Sequence, residues 1–433
     1  MCQLDFYRHY TRVKYSLVAL LLLLSPLLSA GPLLTLAHLQ AIALSDDARV
    51  QASDLRRLSL AELAIAQGQL NDPTLTVGVF NLPIDDFDLN QNASTQLRLG
   101  LSQALAKGNS LQLRQHQGEY AALAQAQYSE LLKKTLVKDV RLHFLETLYR
   151  QKSLTILNKN RRYFAELLVT TENLYAVGRA NQQALLQARL ELSRLDDQIN
   201  QAVNQLEINK RILAKWLPQA SELELLDSLP VLPELASLSV LEAQLLQHPV
   251  IRADDAYIGA AKQAVLLEHE QYKPGFSVGL EYRKRFGDAP NGHQHSDMLA
   301  AMLSVDMPLF TDKRQDKRLS AQQYTHQAVK LKRLDDVRDM RQQLRRQYGN
   351  WQRLQQRSER YQQQLLIEAA AHANAALSGY QNGVNDFSTL MFARIAELET
   401  KLQASRVAIE QLKAQTEVLF YSQQAQQGVN DGQ

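Results

Sequence analysis

The chain carries one succession of motifs twice. Asp72–Phe80 (DPTLTVGVF) returns as Lys273–Glu281 (KPGFSVGLE), with Pro, Val and Gly in register 201 positions on. Leu99–Arg114 (LGLSQALAKGNSLQLR) aligns with Leu303–Arg318 (LSVDMPLFTDKRQDKR) at an offset of 204. Tyr175–Arg189 (YAVGRANQQALLQAR) aligns with Tyr380–Arg394 (YQNGVNDFSTLMFAR) at an offset of 205. Three collinear pairs indicate an internal duplication, so each half supplies equivalent parts to one pseudo-symmetric object.

Each half is mostly helical in pattern. Glycine (17) and proline (11) are scarce in 433 residues, and no proline falls between Gly108 and Pro218. Good helix formers (Gln, Leu, Ala, Arg, Glu) dominate these stretches. Asn109–Tyr175 reads as one helix roughly 100 Å long at 1.5 Å per residue, and Lys313–Ser378 as its counterpart. Both far exceed an ordinary globular helix. Within Gln182–Leu217, Leu185, Ala188, Leu192, Leu195, Ile199, Val203 and Leu206 recur at spacings of three and four, as in coiled-coil-like packing. Leu39–Asn71 and Gln182–Leu217 together match the long helix in length. They are therefore expected to stack end to end beside it, with a tight tip at Val177–Asn181 and a proline-containing link, Pro218–Leu238, near the middle of the rod.

Four short stretches alternate with period two, as half-buried or barrel strands do. Leu75, Val77 and Val79 share one face, as do Leu97, Leu99 and Leu101. In the second half Phe276, Val278 and Leu280 share a face, as do Leu299, Leu303, Val305 and Met307. Polar loops, Asn81–Ser94 and Lys284–Asp297, join the members of each pair. Four strands cannot close a barrel, whereas three chains would supply twelve. The expected fold is thus mainly α with a small transmembrane β part, built as a two-fold repeat. Its expected parts are a first repeat, 31–217 (strands 74–81 and 95–105, helix 109–175, tip 176–181, return helix 182–217), and a linker, 218–238. A second repeat, 239–424, follows (strands 275–284 and 298–309, helix 313–378, tip 379–385, return helix 386–424), then a tail, 425–433.

The N-terminus reads as an export signal. Arg8, Arg12 and Lys14 precede the apolar run Leu17–Leu28, which Pro26 breaks and which is short for a membrane span. Cleavage is expected after Ala30, an uncleaved anchor being the alternative, and gives a mature chain near +1 from the formal +3. The one cysteine, Cys2, goes with the signal. Disulfides, thiolate metal sites and a lipidated N-terminus are then not expected. The charge balance gives no support to a nucleic-acid role. Lys330–Arg346 is basic but interspersed with Asp335, Asp336 and Asp339, as in a solvated helix face with i,i+4 ion pairs.

The duplicated strand–turn–helix segments (LSQALAKGNSLQLR and VDMPLFTDKRQDKR) and the duplicated tips resemble the outer membrane efflux protein family, the TolC-type channels of tripartite pumps. The resemblance extends over roughly Leu34 to Phe420. Asn81-Leu82-Pro83 is weakly similar to the heavy-metal efflux branch. The resemblance implies a homotrimer in the outer membrane of a Gram-negative bacterium, with a twelve-stranded pore in lipid and a twelve-helix periplasmic tunnel. A periplasmic adaptor and an inner-membrane transporter, of the RND type, would complete the pump. It further implies adaptor contacts at the tips around Tyr175, Gly178, Ala188 and Arg189, and around Tyr380, Gly383, Ala393 and Arg394. Small residues at Ala180, Ala184 and Ala188 would admit a partner helix. Leu75, Val77, Val79, Leu97, Leu99, Leu101, Phe276, Val278, Leu280, Leu303 and Val305 would face lipid.

Family channels often carry an acidic constriction just inside the second tip, where this chain has Thr389 and Phe392, with Asp386 the nearest acid. Gln183, Asp386, Thr389 and Phe392 are the candidates for a gate, although Asn385 and Asp386 are also good helix N-caps. His293 and His295 could be read as metal ligands, yet the segment is loop-like and reads as an exposed polar loop. Asp85, Asp86 and Asp88 would make a negative rim. No phosphate loop, nucleophile triad or paired-carboxylate site is apparent, so neither an enzyme nor a cofactor is expected. Two other readings stay open: the outer-membrane part of type I protein secretion, and an exported coiled-coil structural or adaptor protein with no pore.

Overall fold

The computed structural model describes residues 34–217, 225–289 and 292–423. The expected signal segment 1–30, the start of the linker and the tail 425–433 lie outside the described residues. The first repeat comprises α1 (Leu36–Asp46), α2 (Ala48–Gln67), β1 (Thr74–Phe80), β2 (Gln96–Leu105), α3 (Ser110–Ala176) and α4 (Gln182–Leu213). The second comprises α5 (Leu238–Gln244), α6 (Pro249–Glu270), β3 (Gly275–Arg285), β4 (Met298–Asp306), α7 (Gln315–Arg360), α8 (Leu366–Gln381) and α9 (Phe387–Leu419). The duplication is therefore structural as well as sequential.

Two expectations need correction. Leu39–Asn71 is not one helix. Asp47 adopts an extended conformation and caps α2, its carboxylate accepting from the amides of Arg49 at 2.9 Å and Val50 at 3.3 Å, and that local bond competes with continuing α1. The long helix of the second repeat is also not uniform. Tyr361–Leu365 forms a π-helical turn between α7 and α8, a local widening of the i→i+4 ladder.

The four strands form one antiparallel sheet in the order β1-β2-β3-β4. Directly opposed residues share a face in such a sheet. Val77 opposes Leu99, Leu99 opposes Tyr282, and Tyr282 opposes Leu299. One face is thus largely apolar, interrupted by Gln103 and by Lys284 opposite Leu97, and the other carries Thr76, Arg98, Ser102, Ser277, Glu281 and Arg283. β1 and β4 each keep one unpaired edge.

The helices form a layer beneath the sheet. In its upper half α3 lies between α2 and α6, and α7 packs outside α6; in its lower half α3 lies between α4 and α9, and α8 packs outside α9. The shorter helices α2 and α4 thus flank one side of α3, and α6 and α9 the other. The main core sits near mid-length, where Leu36 and Leu39 of α1, Phe144, Leu145 and Leu148 of α3, Trp216, Leu225 and Leu232 are all buried. The linker is pinned there: the Gln151 side-chain amide donates to the Leu225 carbonyl at 3.0 Å, and that of Gln415 to the Pro233 carbonyl at 2.8 Å.

Candidate functional site: a strand wall, a helix layer and two tips

The two helix tips are built alike. At the first, the amides of Arg179 and Ala180 donate to the Leu174 carbonyl at 2.8 and 3.1 Å; at the second, those of Val384 and Asn385 donate to the Gly379 carbonyl at 2.8 and 3.1 Å. Gly178 (φ +76°) and Gly383 (φ +72°) occupy the same place in each turn, and a Cβ added at either would meet nothing within 4 Å. The requirement for glycine is therefore the left-handed backbone itself, not crowding.

Each return helix is capped equivalently. The Asn181 side chain accepts from the Ala184 amide, and Asp386 from the Thr389 amide, both at 2.8 Å. Hydrogen bonding from the Thr389 hydroxyl, and then from its amide, holds the Asp386 carboxyl below the usual carboxylate range, so it is an ionised cap at neutral pH. Of the other gate candidates, Gln183 and Thr389 are exposed. Phe392 is 70% exposed beside a groove of about 820 Å³ over α3, between α4 and α9, that Glu191, Arg194 and Glu399 also line.

The tip candidates divide by burial. Ala188 and Ala393 are buried, which lets the helices of each hairpin approach closely. Arg189 reaches Glu172 across its hairpin at 3.0 Å, whereas Arg394 pairs along its own helix with Glu397 at 2.8 Å, because Leu377 stands where the first repeat has Glu172. Tyr175 is exposed, while Tyr380 packs edge-on against Phe387 with ring centres 5.7 Å apart. Ser388 Oγ donates to Gln187 Oε1 at 3.1 Å, joining the two hairpins. Val177 and Val384, 69% and 80% exposed at the turns, were not singled out from sequence; their position beside each left-handed glycine was the available signal.

On the sheet, Leu75, Val77, Val79, Leu99, Leu101, Phe276, Val278, Leu280, Leu303 and Val305 are exposed on the apolar face, and Leu97 is half-buried on it. Among the described residues no helix is long and apolar enough to cross a membrane, which says nothing of strands. No group of three or more His, Cys, Asp or Glu among them is placed to hold a metal ion.

Residues 240–422 match the outer membrane efflux protein family. No curated protein sequence matches the chain. Among solved structures, the CusC channel superposes with a TM-score of 0.75 at 16% identity, over 89% of this chain and 91% of that one. VceC of Vibrio cholerae, an outer membrane protein, gives 0.74 at 15%, over 89% and 95%. The open MtrE outer membrane channel of Neisseria gonorrhoeae gives 0.72 at 15%, over 89% and 88%. The second repeat thus matches the outer membrane efflux protein family, and the described chain as a whole has the fold of these outer-membrane channels.

Proposed function

We propose that three copies of this chain form a passive conduit through the outer membrane and down into the periplasm, acting as the exit duct of a tripartite efflux pump. The observation that carries this is the sheet: four strands with one largely apolar face, an opposite face that carries the arginines and Glu281, and two unpaired edges. An open edge between lipid and water leaves backbone groups unsatisfied. Pairing β4 of one copy with β1 of the next removes every edge at twelve strands, with lipid outside and water inside.

The helix layer is unfinished on the same two sides. Leu55, Leu58, Leu63 and Ile65 of α2 are exposed at one edge, and Tyr324, Leu331 and Leu334 of α7 at the other, as surfaces awaiting a neighbour are. Closure would make a tunnel of stacked helices. The tips, with exposed Val177 and Val384, are proposed to meet the periplasmic adaptor, an inner-membrane transporter of the RND type supplying the energy. The alternative of type I secretion uses the same conduit.

A planar-bilayer recording of the detergent-extracted protein tests this. Discrete channels with a small resting conductance are expected, rising when Asn181→Ala and Asp386→Ala loosen the tips. Absence of any conductance from protein inserted in the bilayer contradicts the conduit and favours a poreless coiled-coil protein.

A further inference from the structure

The polar face of the sheet carries positive charge at its outer end that exceeds the carboxylates placed beside it among the described residues. Arg98 on β2 lies directly opposite Arg283 on β3, and Arg285, two residues further out, lies opposite Gln96. One carboxylate, Glu281, serves this group. Its oxygen takes the Arg283 Nε hydrogen bond, and Arg98 stands 3.9 Å away. Arg98 Nε is enclosed without a hydrogen-bond partner, its guanidinium stacked 4.0 Å over the Phe80 ring. Arg285 spends one donor on the Ala93 carbonyl at 2.9 Å. At the opposite end of the sheet the balance is even, with Lys107 and Asp306 paired at 2.7 Å.

We infer that these arginines form a cationic ring inside the barrel that favours anions in transit. This rests on the trimeric channel proposed above. Three arginines against one glutamate leave two positive charges in surplus per chain, repeated around the barrel by each copy. Twelve strands about 4.8 Å apart and tilted about 40° enclose a barrel of about 12 Å radius at the backbone. That is comparable with the Debye length, about 10 Å at 0.1 M salt, so the ring's field spans the lumen. The acidic rim of Asp85, Asp86 and Asp88 lies on an exposed loop, where salt screens it. The ring faces a confined channel with low-dielectric walls, which focus a field.

Reversal potentials across a tenfold KCl gradient, in protein reconstituted as the full trimer, decide the matter. The unaltered channel is expected to pass chloride over potassium several-fold at 0.1 M, the preference shrinking towards unity near 1 M as the ring is screened. Arg98→Gln and Arg283→Gln, singly and together, are expected to shift the reversal potential towards potassium in steps. Trimer mass and the count of open channels report whether each variant still assembles, and either single variant suffices if the double does not. Conducting channels that prefer potassium, or whose reversal potential ignores both substitutions, overturn the ring while leaving the conduit standing. Absence of any channel from the unaltered protein overturns the conduit instead.

Discussion

His248 shows how much a single buried residue can tie together. It caps α6, with the Val250 amide donating to Nδ1 at 3.4 Å, so Nε2 carries the proton and donates to the Phe420 carbonyl at 3.3 Å. Burial, with the Lys134 charge nearby, pushes its pKa down to about 4. Lys134 donates to the Ser422 carbonyl at 2.6 Å and is itself pushed down to about 8 by burial. Both side chains pin the turn after α9, and both resist protonation. A folded pKa below the unfolded value of about 6.5 means stability is lost as pH falls through that window, here from 6.5 towards 4. The loss is on the order of 3 kcal/mol. His248→Asn retains a capping oxygen but no titration. Its melting temperature is expected to start lower at pH 7.5 and decline less between pH 6.5 and 4. Parallel decline in both proteins would show that other groups govern the acid limb. Sequence gave no hint of this role, because it depends on residues from α3, α6 and the end of α9 meeting at one point.

At the scale of elements, the strands and tips were legible and the breaks were not. Period-two alternation placed the four strands because a sheet with one apolar face must alternate, and Gly178 and Gly383 marked turns that only their backbone freedom permits. The Asp47 break and the π turn at Tyr361–Leu365 escaped. The first depends on one side chain winning a local competition for backbone amides, and the second leaves helical periodicity almost unchanged. The sequence suits Asp386 to a gate or to a cap, and the bond it accepts from the Thr389 amide makes it a cap of α9. The lipid-facing assignment of the strands is open to direct test. Leu303→Arg places a charge in the apolar face of β4, costing about 2–4 kcal/mol near the bilayer midplane. Its neighbour Ser304→Arg, on the opposite face, is expected to cost little. The readout is the heat resistance of the assembled form in detergent; equal loss in both variants would contradict the assignment of faces.

At the scale of the molecule, the open edges of the sheet and of the helix layer fall on the same two sides of the chain. The first side is β1 with α2 and α4; the second is β4 with α7 and α8. One rotation in the proposed trimer would therefore complete both layers at once, an arrangement that suits the internal duplication. In the proposed trimer, two similar halves per chain would place six similar units around one axis, a closed ring with no leftover edge. The most direct measurement is the native mass of the detergent-extracted protein. The account predicts a single species of three chains, resistant to dilution. A monomer or a dimer as the stable form would leave the edges unpaired and contradict the closed channel.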